Sequence, residues 1–132
     1  MPITSLPSPY GVGTMGEAAR EFVRFLHKAG QSYWQILPIC PTSYGDSPYQ
    51  SFSSYAGNPY MIDLDDLQKD GLLDKKDYKD INWGSTPEKV DYGLLYEKRF
   101  NVLKIATKNA EEKYAAEVSE FRKENIKWLS EY

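Results

Sequence analysis

The fold is decided at a compact run of apolar and aromatic residues, Tyr33-Trp34-Gln35-Ile36-Leu37, which ends at Pro38. Short apolar runs bounded by turn-forming residues are typical of strands that are buried in parallel sheets. A helical pattern precedes the run, because Thr14 and Glu17 fit a capping box and Gly30 supplies a stop. Apolar residues repeat at helical spacing between these ends: Ala18, Phe22, Phe25, Leu26 and Ala29. An extended start, a helix and a strand within about 40 residues predict a right-handed βαβ unit with parallel strands.

The loop that follows the predicted strand, from Pro38 to Tyr60, has an unusual composition. It holds four of the 11 tyrosines and four of the eight prolines, with one acid, Asp46, and no basic residue. In α/β folds, binding sites lie where strands end and the following loops begin. An aromatic, almost uncharged loop at that place suits a flat, polar, uncharged ligand such as a sugar ring. The alternative is an ordered loop whose aromatic side chains pack on the core of the chain itself.

The second half of the sequence predicts charged surface helices. A brief extended piece at residues 60–62 precedes Asp63, which with Asp66 and Leu67 predicts a short capped helix that ends near Gly71. Residues 71–91 are expected to form an irregular connection with turns. Two amphipathic helices should follow. Their apolar stripes are Tyr92, Leu95, Tyr96, Leu103 and Ala106, interrupted by Arg99, and then Tyr114, Val118, Phe121, Trp128 and Tyr132.

Composition excludes several classes of function. The 132 residues suit one domain, and the net charge of −3 with a pI near 5.2 argues against nucleic acid or an anionic membrane as partner. The single cysteine, Cys40, cannot form an intrachain disulfide or a cysteine-based metal site, so a reducing cytoplasm is expected. His27 falls on the polar face of its helix and is expected at the surface. Asp46 is the only carboxylate of the aromatic loop, whereas glycoside chemistry ordinarily needs two.

Four longer motifs resemble the 4-alpha-glucanotransferases, the family that includes amylomaltase and disproportionating enzyme. They are residues 2–11 (PITSLPSPYG), 30–38 (GQSYWQILP), 41–53 (PTSYGDSPYQSFS) and 56–64 (AGNPYMIDL). They occur in the family's order and at its natural spacing. Val90-Asp91-Tyr92 and Trp128-Leu129 fit as well, so the resemblance spans essentially the whole chain.

This resemblance implies the N-terminal part of a (β/α)8 barrel. Residues 1–63 would supply the first βα units, and residues 64–132 a mostly helical inserted subdomain that is truncated at its C-terminal end. It also implies an enzyme that passes segments of α-1,4-glucan to the 4-hydroxyl of an acceptor sugar, with retention through a covalent glycosyl-enzyme and without a metal or organic cofactor. The family's catalytic carboxylates lie in the part that would follow Tyr132, so the chain alone is expected to be inactive.

The resemblance carries over three substrate-binding residues, all in the aromatic loop. Tyr49 matches the tyrosine that lines the subsite at the cleaved bond, and Ser47 lies beside it. Tyr44 matches an aromatic position at a second glucan contact, and Asp46 is expected to shape the loop. The partners would be malto-oligosaccharides or other α-1,4-glucans. Two alternatives stay open: a fragment that binds malto-oligosaccharide without chemistry, and a helical interaction module that uses the stripe from Tyr92 to Tyr132.

Overall fold

The chain is helical in the part that the computed structural model describes, residues 1–86 and 88–131. Its α-helices are α1 (Glu17–Lys28), α2 (Leu64–Lys69), α3 (Tyr92–Lys113), α4 (Ala115–Glu124) and α5 (Ile126–Leu129). Short 3-10 helices lie at Ile3–Ser5, Pro59–Met61 and Lys75–Asp77. None of these helices is long and apolar enough to cross a membrane.

The helix ends follow local sequence signals. Gly30 has a φ of 74°, and its N–H donates to the carbonyl of His27, while the next N–H donates to the carbonyl of Leu26. This pair of bonds is the Schellman arrangement, and it confirms the predicted end of α1. The predicted short helix is confirmed as α2, which is capped by the carboxylate of Asp63 accepting from the N–H of Asp66 at 3.0 Å.

The predicted capping box at the start of α1 is wrong. The helix begins after Gly16, and no side chain caps it. Thr14 is buried instead, and its hydroxyl donates to the carboxylate of Asp63 at 2.5 Å. The hydroxyl is therefore used to join the start of α1 to the start of α2, and this long-range partner outcompetes the local one.

The predicted buried strand at residues 33–37 is not formed in this chain, and the βαβ unit is not confirmed. No strand occurs among residues 1–86 and 88–131, and Tyr33 is 93% exposed. A strand needs a neighbour with which to exchange backbone hydrogen bonds. Within the same described residues, the backbone of 33–38 makes none. Residues 60–62, predicted to be extended, belong mostly to the 3-10 helix Pro59–Met61.

Two clusters of buried side chains pack α1, α2 and α3 against the segments that connect them. The larger joins one face of α3 to the connection between α2 and α3 and to the N-terminal segment. Its members are Tyr10, Val12, Tyr60, Leu64, Leu72, Leu73, Tyr78, Trp83, Leu95, Val102, Leu103 and Ala106. The smaller consists of Ile3, Leu6, Ala19 and Met61, with Phe22 and Trp34 packed against it. The segment 10–14 and the turn at residues 59–63 are thus fixed between α1 and α3.

A hydrogen-bonded cluster around Asp65 fixes the N-terminal segment to the connection after α2. One oxygen of Asp65 accepts from the hydroxyls of Tyr10 (2.8 Å) and Tyr78 (2.7 Å) and from the ammonium of Lys75 (2.7 Å). Desolvation, the largest influence, raises the pKa of the Asp65 carboxyl. The hydrogen bonds from Lys75, Tyr78 and Tyr10 outweigh it, so this pKa lies below its ordinary value.

We expect Asp65→Asn to lower the free energy of unfolding by about 2 kcal/mol at neutral pH, because three donors lose a charged acceptor that is partly exposed. A carboxyl whose pKa is lowered by folding stabilises the protein above its ordinary pKa of 3.8 and loses that effect as pH falls. Urea unfolding at several pH values should therefore show the difference from wild type shrinking below that pH. Asp80→Asn, at a carboxylate 82% exposed, is the control and should change little.

Candidate functional site

The aromatic loop is built on two consecutive β-turns. In the first, the N–H of Asp46 donates to the carbonyl of Ser43 at 3.0 Å, and Gly45 supplies the φ of 95° that a type II turn requires at its third position. In the second, the N–H of Gln50 donates to the carbonyl of Ser47 at 3.1 Å. Pro48 occupies the second position of that turn, where its fixed φ is favourable.

A third backbone hydrogen bond closes the pair of turns into one unit. The N–H of Ser43 donates to the carbonyl of Gln50 at 3.0 Å, so the two ends of residues 43–50 lie side by side. Asp46 lies between the turns with a φ of 55°, a left-handed conformation that aspartate tolerates better than most residues. Its carboxylate accepts weakly from the hydroxyl of Thr42, at 3.5 Å. These contacts agree with the expectation that Asp46 shapes the loop.

The two candidate tyrosines project from these turns into solvent. Tyr44, at the second position of the first turn, is fully exposed, and Tyr49, at the third position of the second, is 75% exposed. Ser47 is half-buried, and its hydroxyl oxygen accepts from the N–H of Tyr49 at 3.4 Å. The alternative that these two rings pack on the chain's own core does not describe this structure, because both rings are open to solvent.

The base of the loop is anchored to the protein core. The N–H of Asn58 donates to the carbonyl of Ile39 at 2.8 Å, and its side-chain oxygen accepts from the N–H of Tyr60 at 2.9 Å. The buried ring of Tyr60 contacts Tyr92 and Phe100, with ring centroids 5.8 and 5.6 Å away. The last aromatic residue of the loop is thus part of the core, while Tyr44 and Tyr49 are presented on the outside.

A small cleft of about 90 Å³ lies under the loop. Asp46, Thr42, Tyr60 and Tyr92 are among the residues that line it. Burial raises the pKa of the Tyr60 and Tyr92 hydroxyls, and the negative charge of Asp46 raises both further. These phenols therefore stay protonated well above neutral pH and can serve as hydrogen-bond donors. A wider, open groove of about 950 Å³ runs between residues 4–13 and residues 81–86, 88 and 90.

The loop offers binding surface rather than catalytic groups. Its one carboxylate, Asp46, has no second carboxylate beside it in the loop, so the acid and nucleophile of a glycoside reaction are not assembled there. Among residues 1–86 and 88–131, no group of three or more histidine, cysteine or acidic side chains could hold a metal ion. Exposed tyrosine rings beside serine hydroxyls and backbone donors are suited to the apolar faces and polar edges of sugar rings.

Comparison with known proteins identifies the family. The family model described as 4-alpha-glucanotransferase matches residues 1–132. The chain belongs to the 4-alpha-glucanotransferase family. It is 52% identical to the 4-alpha-glucanotransferase of Clostridium butyricum over 100% of this chain, and 50% identical to that of Thermus thermophilus over 98%. It covers 27% and 26% of those proteins, so it spans about a quarter of the length of these relatives.

A solved structure of the same family superposes closely on the chain. The amylomaltase from Streptococcus agalactiae in complex with acarbose has a TM-score of 0.90 and 50% sequence identity, over 98% of this chain and 26% of that one. The resemblance inferred from the four motifs is thereby confirmed. The roles of Tyr44, Ser47 and Tyr49 stay predictions, because family membership alone does not assign them.

Sequence reasoning missed the residues under the loop. Tyr60 and Tyr92 were assigned to an extended piece and to a helix stripe, yet both line the cleft beneath Asp46. Only for Tyr60 does the sequence indicate a position near the loop's turns, because Asn58 and Pro59 before it are typical of a turn. In the stripe of the alternative helical interaction module, Leu95, Leu103 and Ala106 are buried, whereas Tyr96 (70%) and Phe121 (51%) are exposed. Its last member, Tyr132, lies outside the described residues. That alternative stays a prediction.

Proposed function

We propose that this chain provides part of the glucan-binding wall of a 4-alpha-glucanotransferase. Such an enzyme moves segments of α-1,4-glucan to the 4-hydroxyl of an acceptor sugar by a retaining mechanism, and it would act in a reducing cytoplasm on maltodextrin, starch or glycogen. The observation that carries the proposal is the pair of exposed tyrosines, Tyr44 and Tyr49, on a turn unit closed at both ends, in a chain that superposes on an amylomaltase bound to acarbose.

Release of ordered water favours sugar binding at these rings. A tyrosine face that is exposed in the free protein loses ordered water when it meets the C–H face of a pyranose ring, while the sugar hydroxyls keep hydrogen bonds at the rim. The two turns fix the backbone of Tyr44 and Tyr49 before any ligand arrives, so little conformational entropy is lost on binding. Ser47 is placed to add a hydroxyl contact beside Tyr49, and it also orients the N–H of that residue.

We propose the same division of the whole protein as the sequence predicted. Residues 1–63 would contribute the first βα units of a (β/α)8 barrel, and residues 64–132 a helical insertion. The order of helix α1 followed by an apolar, non-helical segment supports this division. The reaction's carboxylates would come from elsewhere in the enzyme, because the aromatic loop contains Asp46 alone.

Tyr49→Ala is expected to weaken the binding of maltoheptaose to this chain about tenfold, since the mutant loses a stacking face of modest area. The measurement is a titration followed by amide NMR, in which the wild-type signals of residues 43–50 should shift. Tyr33→Ala removes another exposed tyrosine, outside the loop, and should leave the affinity unchanged. Equal affinities for Tyr49→Ala and wild type would remove Tyr49 from the binding wall.

A further inference from the structure

Tyr55 is a third exposed tyrosine of the aromatic loop, and it falls between the third and fourth sequence motifs, residues 41–53 and 56–64. Its side chain is 77% exposed. The ring nevertheless has a neighbour, because its centroid lies 6.1 Å from that of Trp128 in α5, with only 21° between the two ring planes. One face of the Tyr55 ring is therefore stacked towards the indole, while most of the ring stays accessible to solvent.

The backbone at Tyr55 is held by serine hydroxyls. The side-chain oxygen of Ser53 accepts from the N–H of Tyr55 at 3.3 Å and from that of Ala56 at 3.2 Å. The N–H of Ser53 donates in turn to the side-chain oxygen of Ser51 at 3.2 Å. Serine side chains that bond to the backbone two or three residues on fix turns without a regular element. Tyr55 is thus oriented before any ligand arrives, which limits the entropy lost on binding.

Asn125, between α4 and α5, fixes the other half of the ring cluster. Its side-chain oxygen accepts from the indole N–H of Trp128 at 2.8 Å, and its side-chain nitrogen donates to the carbonyl of Phe121 at 2.9 Å. The ring of Phe121 meets Trp128 edge to face, with centroids 6.4 Å apart, and is 51% exposed. Tyr55, Phe121 and Trp128, here called the aromatic platform, therefore join the aromatic loop to the last two helices.

The loop side of the aromatic platform is polar but uncharged. No charged residue occurs between Asp46 and Asp63, and the exposed residues on either side of Tyr55 include Ser51 and Ser54. An open aromatic face with hydroxyl groups at its edge suits a pyranose ring, whose C–H face is apolar and whose rim is polar.

The extent of the aromatic platform favours a sugar over a protein partner. On α4 the apolar surface is interrupted at once, because Arg122 and Lys123 follow Phe121 and are exposed. A specific protein interface covers about 800 Å² on each partner and has a core depleted in charge. A few rings bounded by cations are too small for that, whereas one or two sugar units require no more.

We infer that Tyr55, backed by Trp128, is a further contact for the α-1,4-glucan, in addition to Tyr44 and Tyr49. Six positions separate Tyr49 from Tyr55, so their Cα atoms are at most about 22 Å apart, and one glucan of several sugar units can reach both. The identity of the sugar rests on the proposed function. The aromatic platform rests on the ring contacts, the exposure and the hydrogen bonds of its own residues.

The test is a titration of the chain with maltoheptaose, followed by NMR of the backbone amides and of the tryptophan indole N–H groups. In wild type, the amide signal of Tyr55 and the indole signal of Trp128 should both shift. Tyr55→Ala should weaken the affinity about fivefold, because a stacking face is lost. Tyr55→Phe keeps that face and should stay within about twofold of wild type, which separates stacking from hydrogen bonding by the hydroxyl.

Phe25→Ala is the matched control. The ring of Phe25 is 61% exposed and is likewise stacked on a neighbour, with its centroid 6.0 Å from that of Phe22 and 29° between the planes. It lies on α1, outside the aromatic loop. The variant should therefore leave the affinity for maltoheptaose and the shift of the Trp128 indole signal unchanged.

Three results would overturn the inference: unchanged affinity in Tyr55→Ala, a Trp128 indole signal that does not respond to maltoheptaose, or a homodimer that Trp128→Glu dissociates. Tyr49→Ala separates the inference from the proposed function. If Tyr49→Ala weakens binding and Tyr55→Ala does not, the aromatic platform is excluded and the proposed function stands. If only Tyr55→Ala weakens binding, the aromatic platform is supported, and the binding wall proposed at Tyr49 is contradicted.

Discussion

Gly13→Ala is expected to lower the free energy of unfolding by about 3 kcal/mol, because a methyl group at this position has no room. A Cβ atom there would lie 2.1 Å from the carbonyl oxygen of Ile3 and 2.8 Å from the backbone N and O of Leu6. These are main-chain atoms of a segment that is itself tied down, since the N–H of Gly13 donates to the carbonyl of Thr4 at 3.1 Å. The clash can therefore be relieved only by a shift of the backbone, and the smaller cluster of buried side chains would have to move with it.

The measurement is urea unfolding followed by tryptophan fluorescence. Gly57→Ala is the matched control, because no atom lies within 4 Å of the Cβ position at that glycine, which also lacks a positive φ, so its stability should stay within about 0.5 kcal/mol of wild type. If Gly13→Ala unfolds at the same urea concentration as Gly57→Ala, the tight contact between residues 3–6 and Gly13 does not exist in solution.

The requirement for glycine at position 13 could not be predicted from the sequence. In the sequence, Gly11-Val12-Gly13 could be excluded as a dinucleotide fingerprint because it lacks the third glycine and the preceding strand. No local sequence motif indicates that two backbone segments approach each other closely. The requirement for glycine arises from residues 3–6, which the chain brings back against position 13 only after folding.

Features with local causes were predictable. The glycine stop of α1, the capped helix α2 and the turn-forming role of Asp46 each depend on residues within one or two turns of the chain. The family and the aromatic loop were likewise predictable, from long motifs and from composition. The exposed state of Tyr44 and Tyr49 was not, because composition does not say which tyrosines of a loop turn inward, and Tyr60 is buried.

Features with distant causes were not predictable. The run at residues 33–37 has the composition of a buried strand, but pairing depends on a neighbour, and none is supplied by the described residues of this chain. Residues 71–91 were expected to be an irregular connection, yet they place Leu72, Leu73, Tyr78 and Trp83 in the main core. Aromatic residues in a turn-rich stretch carry no periodic signal, so their burial becomes clear only from the structure.

Arg99 is another residue at which the sequence pattern and the structure differ. It interrupts the apolar stripe of α3, and a charged residue there would be expected to reach solvent. The structure buries it completely, with Nη1 donating to the carbonyl of Tyr10 at 3.3 Å and Nη2 to that of Ile62 at 2.5 Å. Desolvation lowers the pKa of its guanidinium to about 10, although Asp63 and Tyr60 oppose that change.

The position of Arg99 gives it a structural role at the base of the aromatic loop. Its two carbonyl partners lie in the N-terminal segment and just after the aromatic loop, and its guanidinium lies 6.0 Å from the ring centroid of Trp83. One side chain of α3 thus joins three segments that are far apart in sequence. Among the described residues, its Nε has no hydrogen-bond partner, so the burial is costly and must be offset by these contacts.

Arg99→Ala is therefore expected to lower the free energy of unfolding by about 4 kcal/mol. The variant leaves the buried carbonyl of Tyr10 and the partly buried carbonyl of Ile62 without their donor, and it opens a cavity beside Trp83 where the side chain was. Arg99→Met separates these two effects, because methionine fills most of the volume and removes the costly charge but donates no hydrogen bond. We expect it to recover about half of the lost free energy.

Urea unfolding of the three proteins decides between packing and hydrogen bonding as the main contribution of Arg99. If Arg99→Met is as unstable as Arg99→Ala, the hydrogen bonds to Tyr10 and Ile62 dominate, and filling the volume does not help. If Arg99→Ala is as stable as wild type, the guanidinium does not join these segments at all. Because Ile62 lies just after the aromatic loop, amide NMR of Arg99→Met should also show shifts at residues 58–62, whereas Ile105→Asp, further along α3, should leave those signals unchanged.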